Sequence, residues 1–135
     1  MSILASLAIA AAAAGNPPVV VEGERARGED IAKGFGYAEL ATGDDRGAIA
    51  DIRENGSADA ADPARLINLG IAYARIGDTA QARALFEQAR DSRDSARLET
   101  AEGKWIAARA LAERGLRMLD DGVFSDGTRL AGRRN

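Results

Sequence analysis

An all-α chain of helical hairpins is what the sequence predicts, and three observations predict it. Residues 63–96 carry two consecutive runs with apolar residues on one helical face, joined through Gly77-Asp78. Moving that stretch back by its own length lays it without a gap on residues 29–62, where Gly43-Asp44 falls on the same junction. A third amphipathic run follows at about 106–121, giving two antiparallel hairpins plus a C-terminal capping helix. The chain has 135 residues, 46% hydrophobic and only 4% aromatic, so a single Ala-rich domain with a limited core is expected.

In the clearer unit, Leu66, Leu69, Gly70 and Tyr73 stand at i, i+3, i+4 and i+7 and make one stripe. Asp62 is placed to cap this helix and Pro63 to occupy its first turn, where a missing N–H costs nothing. Gly77 can take the left-handed conformation that ends it. Asp78 then caps the second helix, with Gln81 as a capping-box partner, and Ala82, Leu85, Phe86 and Ala89 form the facing stripe. Small residues at Gly70, Ala82 and Ala89 let the backbones approach, while Leu66, Leu69, Tyr73 and Phe86 fill the space beside them.

The first copy keeps this grammar in weaker form. Phe35 falls on Leu69, Gly36 on Gly70, Ala48 on Ala82 and Ile52 on Phe86, while Ala32 replaces a large residue and Glu39 replaces Tyr73. A less apolar outer face suits a terminal repeat. Asn55-Gly56 ends its second helix.

The ordered set Leu66, Leu69, Gly70, Tyr73, Ala82, Phe86 and Ala89 resembles the tetratricopeptide repeat, a unit of about 34 residues. Leu66 stands where that family often has Trp, and Asp94 where it often has Pro. The resemblance implies a fragment of right-handed α-solenoid that acts as a protein-binding scaffold. It also implies a concave groove lined by the first helix of each repeat: Lys33 and Tyr37 from the first, and Ile67, Asn68, Ile71 and Arg75 from the second. Ile67 and Ile71 lie off the Leu66-Leu69-Tyr73 stripe, so this helix is apolar on two sides. A partner segment, the capping helix or the Val19 arm are the candidates to cover the second side. Some relatives grip a C-terminal carboxylate. Lys33 and Asn68 match two of those places, but Tyr37, Leu98 and Glu102 depart from it, which favours an apolar or mixed peptide groove.

Outside the repeats, residues 3–14 form an uncharged apolar run too short to span a bilayer, followed by an A-x-A pattern at Ala12 and Ala14. Residues 1–14 therefore read as a signal peptide, leaving an exported, periplasmic chain with no membrane span, although no Lys or Arg precedes the run. Pro17, Pro18 and Val19 to Val21 make residues 15–28 an extended arm, either unstructured or laid in a groove. A third repeat fails at Gly103, Lys104 and Ala107. Residues 98–103 read as either a helical turn or a hairpin arm, and Trp105 as a cover over the end of the inter-repeat seam. Residues 122–135, with Arg129, Arg133 and Arg134, read as a flexible tail after the Asp120-Asp121-Gly122 stop.

Without Cys or His, the chain alone cannot build a disulfide, a Cys/His zinc site, a Ser-His-Asp triad or a Cys-His pair. Asp44-Asp45, Asp91 with Asp94, and Asp120-Asp121 sit at helix ends, where capping outweighs acid–base chemistry. Gly34-Phe35-Gly36 lies inside the first helix and lacks the third glycine of a dinucleotide fingerprint. Arg83, Arg90, Arg93 and Arg97 interleave with Glu87, Asp91 and Asp94 and read as a self-paired solvated face. A formal charge of −3 argues against nucleic acid. The expectation is a non-catalytic module, without cofactor or metal, that binds a protein or peptide partner. The alternative is a small structural or self-associating protein, including a homodimer, whose groove is filled internally.

Overall fold

The structure is a computed structural model that describes residues 20–23, 36–55, 60–93 and 96–124. Its elements, in chain order, are β1 (Val20–Gly23), α1 (Tyr37–Thr42), α2 (Asp45–Asn55), α3 (Pro63–Arg75), α4 (Thr79–Arg90), β2 (Arg97–Thr100), β3 (Trp105–Ala107) and α5 (Ala108–Asp120). The α1/α2 and α3/α4 hairpins stack through α2 on α3, and α5 packs on α4 and α3. A small antiparallel sheet of order β1-β2-β3 is added at one side, with β1 against α3. The fold is an all-α helical-repeat fold with that sheet as an accessory.

The two hairpins share their junction chemistry atom for atom. The first helix of each closes in a double hydrogen bond: Gly43 N–H to Leu40 O at 3.3 Å and Asp44 N–H to Glu39 O at 2.8 Å, matched by Gly77 to Ala74 at 3.1 Å and Asp78 to Tyr73 at 2.9 Å. This is the Schellman arrangement, and it needs the left-handed φ of 81° at Gly43 and 90° at Gly77. The following aspartate starts the next helix, Asp44 Oδ1 accepting from Gly47 N–H at 2.9 Å and Asp78 Oδ1 from Gln81 N–H at 3.1 Å. Gln81 does not complete a capping box, because the Asp78 N–H it would accept from is committed to Tyr73 O. Asp62 caps α3 through Ala64 N–H at 3.0 Å, with Pro63 in the first turn. Asp78→Ala and Asp44→Ala are each expected to cost about 1 kcal/mol, read as a drop in the urea midpoint with unchanged m.

Gly36 makes a close approach in the first hairpin like the one Gly70 makes in the second. A Cβ there would stand 3.1 Å from the Ala48 side chain and 3.0 Å from that of Ile52, the residues aligned with Ala82 and Phe86. In the second copy a Cβ on Gly70 would come within 2.8 Å of the Phe86 ring. Phe86 is wholly buried, and α5 approaches it from the other side through Gly115, where a Cβ would meet the same ring at 2.7 Å. One aromatic ring is thus clasped between two glycines on two helices, and it joins the repeat to the capping helix.

Several expectations are corrected. Gly36 is not inside a helix: its φ of 66° is left-handed, and α1 begins only at Tyr37. The capping helix starts at Ala108 rather than Ile106, because Trp105–Ala107 is a strand. The open choice at residues 98–103 resolves as a hairpin, with Leu98 opposite Ile106 and a turn in which Gly103 has a φ of 78° and Lys104 N–H donates to the Thr100 hydroxyl at 3.3 Å. Trp105 accordingly stands 38% exposed on the edge strand, not over the repeat seam. Of the two readings of the arm, unstructured or laid against the fold, Val20–Gly23 follows the second, as a strand of this sheet beside α3. The tail does not begin at residue 122: Phe124 is buried in the core beside half-buried Val123. The proposed signal peptide at 1–14, Val19, Lys33, Phe35, Asp94 and the tail arginines lie outside the described residues.

Candidate partner-binding face

The face expected to line a groove belongs to α3, and the structure closes it. Ten of the thirteen α3 residues are buried; Arg65, Tyr73 and Arg75 are the exceptions, and they are half-buried. Ile67, Asn68 and Ile71 are fully buried, so they are core in this conformation and not an open lining. The physical reason is that α3 is packed by α2, α4, α5 and β1 together, which covers the second apolar side as well as the first. Of the other expected lining residues, Tyr37, at the start of α1, and Arg75 are half-buried.

Arg75 is at the repeat boundary rather than in a groove. Its Nη1 donates to Leu40 O at the end of α1 (3.1 Å), and its Nε lies 2.9 Å from Asp45 Oδ1 at the start of α2. One guanidinium from the second repeat therefore holds both sides of the first repeat's turn. Asp45 Oδ1 is buried without a well-formed hydrogen bond, so the Arg75 charge is what compensates it. Burial raises the Asp45 carboxyl above its ordinary range, Arg75 opposes the rise, and neighbouring Asp44 adds to it. A carboxyl raised on folding binds its proton more tightly in the native state, so its contribution to stability falls as pH climbs from about 4. Arg75→Ala is expected to cost about 2 kcal/mol at pH 7, with the deficit shrinking as the pH is lowered toward 4 and Asp45 is neutralised. Urea melts of both chains across that range give the test.

A second clasp comes from Arg53 of α2, whose guanidinium donates to the Tyr73 hydroxyl and sits 5.6 Å from that ring's centre. The periodicity that put Tyr73 in the core stripe gave no sign of this arginine, because the pair is made between repeats. The basic series pairs within itself, as expected, at Arg90 and Asp91, while two of its other arginines reach elsewhere. Arg83 reaches Asp120 of α5 at 2.6 Å, Arg90 pairs with adjacent Asp91 at 2.9 Å, and Arg97 lies on β2 and donates to Trp105 O at 2.9 Å. The end of α4 and the start of α5 enclose an open cavity of about 680 Å³ lined by Arg90, Asp91, Ser92, Arg93 and Arg109. Arg90 and Asp91 neutralise each other there: their mutual hydrogen bond raises the guanidinium and lowers the carboxyl.

Among the described residues no group of three or more Asp or Glu side chains is placed to hold a metal, and no helix is long and apolar enough to cross a membrane. Antiparallel helix pairs with identical Gly-Asp junctions, stacked and closed by a further helix, define a helical-hairpin-repeat protein. Residues 63–88, which contain α3 and nearly all of α4, match the family model of the tetratricopeptide repeat, and the match supports assigning this stretch to that family. No curated protein and no solved structure matches the chain. Repeats of this family are generally non-catalytic, and the match suggests a protein–protein interaction module.

Proposed function

We propose that this chain is a non-catalytic adaptor, exported to the periplasm, that binds an extended or helical segment of a partner protein beside the first helices of its repeats. The tetratricopeptide repeat at 63–88 carries this reading. Export rests on the apolar run at residues 3–14. Because Ile67 and Ile71 are covered by the chain itself, a partner either docks near Tyr37 or replaces something now packed on α3. The complete burial of Ile67, Asn68 and Ile71 also favours a second reading, a self-contained structural or self-associating protein whose groove is filled internally.

Site-specific photocrosslinking in cells separates the two. A crosslinker in place of Tyr37 is expected to give a discrete adduct with another protein, absent when the crosslinker replaces exposed Ala84 on α4. Adducts only with a second copy of the chain, or the same adducts from both positions, would shift the conclusion to the self-contained reading.

A further inference from the structure

The strand that fills the side of α3 is poorly matched to its place. β1 is four residues long, and it pairs at the sheet edge with β2 in a register that slips between Val20 and Glu22. That register sets Glu22 opposite Glu99, an acidic residue across from an acidic residue, which is unfavourable in an antiparallel pair. It also sets Gly23, which has no side chain to pack, opposite fully buried Leu98. Beneath it, α3 is apolar on both sides and has no fully exposed residue, so this flank needs an occupant. The far edge of the sheet is guarded, since Arg97 caps the outward carbonyl of Trp105.

We propose that the β2 edge now held by β1, with the flank of α3 beside it, is a strand-accepting site. Its partner is an extended segment of β-branched residues that carries a lysine or arginine where β1 carries Glu22. This rests on the adaptor reading and names the partner chemistry for it. The partner adds as an antiparallel strand, takes the backbone hydrogen bonds of β1, and sets a positive charge at the register position opposite Glu99. β1 is then an internal stand-in that keeps α3 covered until a better-matched strand arrives.

Two fluorescein-labelled peptides test this against the full chain by fluorescence anisotropy: NPPVVVEGER, copied from residues 16–25, and the same peptide with E22K. The E22K peptide is expected to bind saturably and about fivefold more tightly than the native sequence. The preference should reverse on the Glu99→Lys chain, or fall to parity on Glu99→Gln should Glu99→Lys not fold by circular dichroism. Introducing Glu22→Lys into the chain itself should weaken capture of the E22K peptide, because the resident strand is then better held. No saturable binding of either peptide, or a preference indifferent to residue 99, would overturn the strand site. The Tyr37 crosslink does not depend on β2, so a peptide failure beside a successful crosslink rejects this site and leaves the adaptor reading standing.

Discussion

Ile67→Asp is expected to unfold the protein at neutral pH. Ile67 has no exposed surface, and its helix is enclosed by two other helices of the repeats, the capping helix and β1. A carboxylate placed there has no cationic partner designed for it, and an uncompensated buried charge costs several kcal/mol, about 3–5 by comparison with broken buried ion pairs. Small domains have only about 5–15 kcal/mol in total, and an Ala-rich chain of this length belongs at the lower end. The introduced carboxyl would escape part of the cost by holding its proton, so its folded-state pKa rises. Stability is then retained below about pH 4 and lost as pH rises through the shifted value. Circular dichroism at pH 7 should show lost helicity that partly returns on acidification, whereas Ile67→Val should cost about 1 kcal/mol at either pH. An Ile67→Asp chain with wild-type helicity and Tm at pH 7 would mean that this side of α3 is open to solvent.

The second large effect is at the ring clasped by two glycines. Phe86→Ala removes a fully buried aromatic side chain that touches α3 and α5 at once, and the expected loss is about 3–5 kcal/mol. Gly115→Ala fails in the opposite way. Its Cβ would fall 2.7 Å from the ring, and because the ring is rigid and enclosed, α5 must move outward at a cost of about 1–3 kcal/mol. The two faults compensate each other. Phe86→Leu makes room for the methyl, so the Gly115→Ala/Phe86→Leu chain should be about 1 kcal/mol more stable than the sum of the single changes predicts. Denaturant melts of the four chains measure the coupling directly. Strict additivity would mean that α5 does not press on this ring.

Much of the repeat was legible in the chain because its signals are local. Gly43 and Gly77 before Asp44 and Asp78 announce a helix stop and a helix start through contacts within a few residues, and all four act as their types suggest. The Ala48/Ile52 and Ala82/Phe86 pairs were readable for the same reason, since the spacing of a helix face depends only on the helical pitch. Gly115 was legible as a member of an apolar stripe but not as a clasp on Phe86, because nothing in its own helix says which ring lies opposite. At Ile67, Asn68 and Ile71 periodicity identifies a second buried-type face but is silent about what covers it, and the structure buries all three. Arg75 was likewise readable as a charge on the first helix, while its partners Leu40 and Asp45 belong to the preceding repeat.

What the sequence by itself determined was the repeat: its period, its caps, its apolar stripes, and the absence of Cys and His chemistry. All of these follow from residue type and short-range geometry. What only the tertiary structure decided was the fate of the second side of α3. Its closure depends on β1 meeting β2 across most of the chain's length and on the hairpin at Arg97–Ala107 turning the chain before α5. The pairing of short edge strands is set by backbone hydrogen bonds and by the surface beneath them, and both come into being only once the helices have packed.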